Sequence, residues 1–353
     1  MEQRILEEIS GWVQDRRDFL KVSASFAIGF ASCGIFPLDA EAVKFNRKLY
    51  KVSRTRLALG TFVSITVVHP SKDQAEEAIG EAFRELKRLT DLLNRFDSKT
   101  PLGELNKEGS LKNIPPELAQ VISYSIEYHK LTSGAFDITI KPLIDLFGEI
   151  FSTGQASRPI QKQIEEALSL VGSEKIMFDG KNIQFLMPKM GITLDGIAKG
   201  FIVDRISQLL DRHKIQNYLV NAGGDIRTRG YRKDKKPWRI AIEDPWKKGN
   251  YPDIIEVRDG AVATSGNYEV FFDQEKMFHH IIDPKTGLSP REITSVSVTA
   301  NSAMEADALS TGIFVMSSAQ GVRLINSLPG CECLLVSRNR REFRSSGWSK
   351  LAI

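Results

Sequence analysis

Asp307 and Thr311 stand four residues apart in Glu305-Ala306-Asp307-Ala308-Leu309-Ser310-Thr311, a string that reads as the opening of a helix. That spacing stacks the two side chains on one helical face. A carboxylate beside a hydroxyl suits a hard cation such as Mg2+, which keeps waters and substrate phosphates in the rest of its shell. Leu194-Asp195-Gly196-Ile197-Ala198-Lys199-Gly200 joins a predicted strand to a predicted helix. Its glycines permit close backbone approach, and a lysine at a helix start can meet a phosphate. The string is not a Walker motif, because the glycine spacing and the Lys-Ser/Thr pair are absent. Asn221-Ala222-Gly223-Gly224-Asp225 reads as a tight strand connection, and Thr264-Ser265-Gly266-Asn267-Tyr268 supplies hydroxyls and flexible amides suited to an anion or to a turn. His279 and His280 are two of only five histidines and precede Asp283-Pro284. Neighbours on a strand point to opposite sides, so only one of them enters a cleft. Gly134-Ala135-Phe136-Asp137 sets a flat ring, usable for stacking a heterocycle or for packing, beside a carboxylate. Together these groups describe a nucleotide diphosphate site without a Rossmann fingerprint.

The elements that must carry these strings are legible from periodicity. Thr61–Val68 alternates as a strand, and Ser71 with Gln74 three residues on caps a long helix whose apolar stripe runs Ala75, Ala78, Ile79, Ala82, Phe83, Leu86, Leu89 and Leu93. Pro115-Pro116-Glu117 opens a second helix, and a third is expected over Pro159–Leu170. Lys175–Phe178 and Asn182–Leu186 flank the hairpin signal Asp179-Gly180-Lys181. Strands are expected at Ile192–Leu194, Tyr218–Asn221, Asp225–Gly230, Trp238–Ile242, Ile254–Val257, His279–Ile282, Thr294–Thr299 and Cys333–Val336, with helices from Ala198, over Ser302–Val315 and over Ala319–Leu328. Helices laid on a mostly antiparallel sheet predict an α+β fold in one compact unit.

Of the 353 residues, 42% are hydrophobic and 26% charged, the balance of a globular chain rather than a disordered or fibrous one. The 48 basic and 44 acidic side chains are too even for a dedicated nucleic-acid binder. No run of 18 apolar residues offers a membrane-spanning helix. Cys33, Cys331 and Cys333 are too few for a disulfide scaffold, and the last two share a strand face as small buried hydrophobes. Residues 1–42 read as an address: Arg16-Arg17-Asp18-Phe19-Leu20-Lys21 followed by a short, mildly apolar run fits a twin-arginine export signal. Ala40-Glu41-Ala42 fits a cleavage site, whereas Phe30-Ala31-Ser32-Cys33 resembles a lipobox that would lipidate Cys33. Either route places residues 43–353 outside the cytoplasmic membrane, periplasmic or attached to its outer face. The segment 1–42 carries four basic and seven acidic side chains, which leaves 44 against 37, net +7, on the remainder.

In order along the chain, Leu59-Gly60-Thr61, Leu93-Asn94-Arg95-Phe96-Asp97, Gly134–Thr139, Asp195–Gly200, Val220–Asp225, Thr264–Tyr268, His280–Gly287 and Asp307–Thr311 resemble the ApbE-like flavin transferases, the FAD:protein FMN transferases, over residues 56 to about 345. The resemblance implies a T-fold-related architecture and Mg2+-dependent cleavage of the FAD pyrophosphate. FMN would move onto a threonine hydroxyl of a target redox protein, a membrane subunit carrying Asp-x-x-Ser/Thr-Gly/Ala-Thr, and AMP would leave. It further implies that Asp307, Thr311 and the Gly196 carbonyl hold the cation. Leu59, Phe96, Ala135, Phe136, Asp137, Lys199 and Ile281 would line the FAD site, and His280 with Asp307 would carry catalysis. Many relatives read Asp-Leu-Gly-Gly-Ile-Ala-Lys-Gly where this chain has Thr193-Leu194-Asp195-Gly196, so the flavin contact there falls to Thr193 or Asp195. An FAD pyrophosphatase would share every one of these motifs. An exported flavin-binding protein without turnover would not need the Asp307–Thr311 pair.

Overall fold

The architecture was obtained as a computed structural model, which describes residues 43–46, 49–152, 161–232, 235–246, 251–268, 272 and 278–353. The twin arginines, Cys33 and the Ala40–Ala42 site lie outside the described residues. A nine-stranded antiparallel sheet organises the chain in the order β1 (Val43–Asn46), β2 (Leu49–Ala58), β3 (Thr61–His69), β7 (Tyr218–Ala222), β8 (Asp225–Arg229), β11 (Gly260–Gly266), β12 (Ile293–Ala300), β13 (Glu332–Ser337), β14 (Glu342–Arg344). Two small sheets flank it, β4–β6–β5 (Ser110–Leu111, Ile183–Phe185, Ile176–Phe178) and the pair β9–β10 (Trp238–Ala241, Ile254–Val257). The α+β expectation holds.

Every residue of β12 is buried because both sheet faces are covered. Val296 and Val298 meet the helices, while Val262 of β11 and Leu334 of β13 join Trp348 and the β9–β10 pair on the other face. Helix α1 (Lys72–Leu92) starts where expected, with the Ser71 hydroxyl accepting from Gln74 N at 3.3 Å, and buries the predicted stripe. Helices α2 (Pro101–Glu108) and α4 (Lys141–Ser152) were not anticipated; α2 is short, opened by a Thr100 cap and Pro101, and closed by Gly109 at φ 73°. Helices α3 (Pro116–Leu131), α5 (Gln161–Leu168), α6 (Ala198–Arg212), α7 (Ala303–Phe314) and α8 (Ser318–Asn326) complete the set among the described residues. None of the described helices is long and apolar enough to cross a membrane. Cys331 and Cys333 are free and buried in the main core, and burial pushes both thiols up to about 12.

Two strand expectations need correction. Ile192–Leu194 is buried but pairs with no strand, since Ile192 N donates to Asn106 Oδ1 (2.7 Å) and Thr193 N to Ile138 O (2.8 Å). His279–Ile282 forms no strand either; the Ser289 hydroxyl clasps the His279 backbone, accepting from its N–H (2.9 Å) and donating to its carbonyl (2.8 Å). Apolar residues alone do not make a strand where side chains satisfy the backbone first.

Helices α6 and α7 lie against the sheet in closest contact at Gly200, where a Cβ would sit 2.3 Å from the Ala303 carbonyl oxygen. Gly200→Ala is therefore expected to force the two helices apart and lower the melting temperature by several degrees, whereas a side chain at Gly148, which faces nothing within 4 Å, is expected to leave it nearly unchanged.

Candidate active site

The two helices cap one another. Asp204 on α6 accepts from the Ala303 and Met304 N–H groups at the start of α7, both at 2.9 Å. In return Asp307 on α7 accepts from Gly200 N at 3.0 Å, near the start of α6, which has no side-chain cap of its own. A carboxylate across a helix N-terminus satisfies an orphan donor and complements the dipole. This exchange fixes Asp307, itself 5% exposed, at the mouth of α6.

A second carboxylate stands beside it. The Gly223-Gly224 turn (φ 60° and 99°), closed by Asn221 Oδ1 accepting from Gly224 N, sets Asp225 at the start of β8 with 1% exposure. Lys199 Nζ lies 3.1 Å from Asp225 Oδ2. Burial pushes the Asp307 carboxyl well above the usual range and the Asp225 charge raises it further, while Asp225 is raised by burial and relieved by Lys199. Two buried carboxyls with one lysine between them resist full ionisation, so the pair shares a proton more readily as pH falls, Asp307 being the more strongly raised. Lys199, expected at a phosphate, here balances Asp225.

The hydroxyls around Thr311 point one way. Ser310 Oγ donates to the Asp307 carbonyl (3.0 Å), so in its 2.8 Å bond with Ser265 Oγ it must accept. Ser265 has one proton and donates it there, so Thr311 Oγ1 is the donor in its 3.2 Å bond to Ser265. The lone pairs of Thr311 are left facing away from Ser265. The Gly196 backbone lies directly against this threonine, where a Cβ would come within 3.0 Å of Oγ1. Among the described residues no group of three His, Cys, Asp or Glu could hold a metal. The side-chain donors there are the Asp307 carboxylate and the Thr311 hydroxyl, with the Gly196 backbone alongside, an oxygen set whose chemistry would suit a hard cation completed by phosphate oxygens and water. Ser265→Ala removes the group that orients Thr311. It is expected to weaken divalent-cation affinity about ten- to hundredfold, read by Mn2+ electron paramagnetic resonance, with little change in melting temperature.

Next to Gly196, Asp195 accepts from Arg95 at 3.0 Å and stands half-exposed. Dehydration raises its carboxyl, but Arg95, the Thr193 hydroxyl and the field of His280 outweigh it and hold it low. Thr193 is buried and accepts from Asp195 N at 3.3 Å, so of the two residues it is Asp195 whose side chain reaches solvent. Arg95 also lies over the Phe96 ring, 4.2 Å from its centroid, and that ring is 61% exposed. Leu59 holds the β2–β3 turn at φ 54°, at the same end of the sheet as the Gly223-Gly224 turn.

Three residues named for the flavin pocket present their side chains to protein instead. Phe136 is 2% exposed and packs edge-on to Tyr128; Ile281 is in the core. Asp137 accepts from Thr139 N and Oγ1, Ser173 N and Oγ, and lies 3.0 Å from His129 Nδ1. They brace the turn holding the half-buried Ala135 against α7, where Phe136 Cβ stands 3.2 Å from a Cβ placed on Gly312, the neighbour of Thr311. Burial would raise the Asp137 carboxyl, yet these donors hold it below the usual range, and Asp137 raises His129. A depressed carboxylate stabilises above about pH 4, and a raised imidazolium stabilises fully below about pH 6.5 and loses that as pH rises through its folded value. The gap in melting temperature between the parent and Asp137→Asn is thus expected to be widest at pH 5–6 and to narrow above pH 7. A constant gap from pH 5 to 9 would contradict an ionised pair.

Sequence reasoning did not assign Ser265, Ser310, Asp204, Arg95 or Asp225 to the site. Ser265, Ser310, Arg95 and Asp225 stood in strings already singled out, but their pairings were not legible, and Asp204 carries no local signal, since the partners of Ser265, Arg95 and Asp204 lie 45 to 100 residues away.

An α+β fold with a carboxylate and a hydroxyl gathered at a helix N-terminus defines the class, and the comparisons give the family. The ApbE family model matches residues 59–335. The chain belongs to the ApbE family. It is 32% identical over 302 residues to a FAD:protein FMN transferase of Vibrio cholerae, covering 82% of this chain and 89% of that one. It is 33% identical over 264 residues to one of Haemophilus influenzae, covering 72% and 75%. Among solved structures it is similar to the flavin transferase ApbE of Vibrio cholerae (TM-score 0.75, 28% identity, 86% of this chain and 99% of that one). It is also similar to the ApbE protein of Thermotoga maritima (TM-score 0.78, 31% identity, 86% and 99%).

Proposed function

We propose that this chain is a transferase that moves FMN from FAD onto a threonine hydroxyl of a target redox protein and releases AMP, with Mg2+ as its cation. The observation that carries this is the cluster Asp307, Thr311 and Gly196 at the α6 N-terminus, in a chain related over most of its length to FAD:protein FMN transferases. In the reaction the acceptor oxygen forms a bond to the FMN phosphorus while the bond from that phosphorus to the bridging oxygen breaks. AMP leaves with the bridging electron pair, and the hydroxyl proton is taken up at the site. A divalent cation, when bound, supplies positive charge to the diphosphate oxygens. The chain does the rest by positioning. Asp307, Thr311 and the Gly196 carbonyl are the cation's protein ligands; Lys199 balances Asp225; Asp195, Arg95 and Phe96 form the rim for the flavin; and His280 serves the reacting phosphate and acceptor hydroxyl.

The acceptor in this reading carries Asp-x-x-Ser/Thr-Gly/Ala-Thr and faces the compartment reached through the twin-arginine signal, at the outer face of the cytoplasmic membrane. The chain is lipidated at Cys33 or cut after Ala42. The test incubates the protein with FAD, Mg2+ and a peptide bearing the acceptor pattern, followed by mass spectrometry of the peptide and chromatography of AMP and FMN. An FMN adduct on the threonine with stoichiometric AMP supports the transferase. Free FMN and AMP without adduct would make it a pyrophosphatase, and FAD bound unchanged would make it a binding protein.

A further inference from the structure

Three arginines that make no ion pair among the described residues ring one concavity on the end and face of the sheet that carry Ser265, and we infer that this concavity docks an acidic segment of the acceptor protein. The inference rests on the transfer reading above. The cavity is about 340 Å3 and is lined by Arg291, Arg338 and Arg341 with Ser337, Asn339 and Phe343. Other arginines nearby are engaged: Arg344 pairs with Glu342 (2.8 Å) and Asp253 (3.5 Å), and Arg340 lies over Trp246, 4.8 Å from its centroid. The acid at the cavity edge, Glu292, accepts from the Ser318 hydroxyl at 3.1 Å. Three guanidinium groups are thereby left around a half-buried ring. Guanidinium forks match carboxylates in pairs, and the ring gives an apolar seat to the aliphatic part of an acidic side chain.

Its place in the fold supplies the functional link. Gly266 at the end of β11 pairs with Ser295, and Ile293 at the start of β12 pairs with Ser337 at the end of β13. Phe343 pairs with Leu335, which faces the same core as Ala263 and Val296, so the cavity opens on the helix-covered face that carries Ser265. From β11 the cavity lies two strands away at Ser337 and three at Phe343, about 10 to 15 Å, which about three to five residues of extended chain span. The segment from His280 to Pro290 also runs directly into Arg291. A partner chain seated on the arginines can therefore present a hydroxyl a few residues away to the cation pocket. The concavity and the apolar seat favour a peptide carboxylate over the flat, broad contact of an anionic membrane.

The experiment compares the full chain with its Arg338→Glu/Arg341→Glu variant on two synthetic peptides. Both carry the acceptor pattern, one flanked by glutamates and the other by glutamines. Fluorescence anisotropy reads binding without turnover, and mass spectrometry reads transfer. The parent should bind the glutamate peptide at least about tenfold more tightly than the glutamine peptide, and the variant should lose that preference. KM for FAD should not change. Equal binding of both peptides by the parent, or an undiminished preference in the variant, would overturn the docking site. Absence of any FMN adduct from either peptide, with the binding preference intact, would overturn the transfer reading instead. Vesicles of phosphatidylcholine and phosphatidylglycerol are the third arm. Sedimentation of the parent but not the variant, with no peptide preference, would make the arginines a lipid contact and sink the proposal.

Discussion

Asp307→Asn is expected to lower FAD cleavage about a thousandfold while the protein stays folded. The side chain has two tasks that the substitution separates. As a hydrogen-bond acceptor it caps Gly200 N, which an amide oxygen still does. As a carboxylate it supplies the cation pocket with a full negative charge, which the amide does not. Losing several kcal/mol of charge stabilisation at 1.36 kcal/mol per tenfold gives the expected factor. The neutral amide also leaves Asp225 with Lys199 as its counter-charge, so the buried pair no longer has to share a proton and the melting temperature should hold or rise. In the parent the cation must displace that proton, so the Mg2+ requirement should grow as pH falls, and this dependence should vanish in the variant. Isothermal titration with Mg2+ at pH 6 and pH 8, beside FAD turnover, checks both. Turnover within tenfold of the parent at saturating Mg2+ would remove Asp307 from the cation pocket.

The contrast between Asp307 and its partners shows what the sequence can reveal. Helix α7 and the Asp307–Thr311 spacing were legible because both depend on residues a turn apart. The same holds for the α1 stripe, the Asp179–Asn182 hairpin and the central strands, whose patterns are local. The reciprocal caps, Asp204 on α7 and Asp307 on α6, were not legible, because their 99- to 107-residue separations are closed only by helix packing at Gly200. Phe136 and Asp137 show the converse. Their types suit a heterocycle, yet the burial that turned them inward is set by α3, α7 and the Gly172-Ser173 backbone. A motif can mark a site whose named side chains brace it from behind.

The adjacent histidines give the sharpest separation of structure from chemistry. His279 is 2% exposed, has its Nε2 3.0 Å from the Pro290 carbonyl and lies edge-on to Phe314, with ring centroids 5.7 Å apart. The His280 ring stands edge-on to that of His279, with centroids 6.4 Å apart, less buried and near enough to Asp195 for its charge to lower that carboxyl. His280→Ala is therefore expected to slow FMN transfer by about two to four orders of magnitude, the range for a lost proton-transfer group, with KM for FAD and melting temperature nearly unchanged. His279→Ala should do the reverse. It leaves a cavity beside Phe314 and the Pro290 carbonyl unpaired, a cost of about 2–4 kcal/mol that lowers the melting temperature by several degrees. Below that temperature its kcat should stay within a few-fold of the parent. Measuring kcat, KM for FAD and thermal unfolding for both variants decides the assignment. If His279→Ala loses more turnover than His280→Ala in protein that is still folded, the catalytic histidine has been placed on the wrong side of the chain.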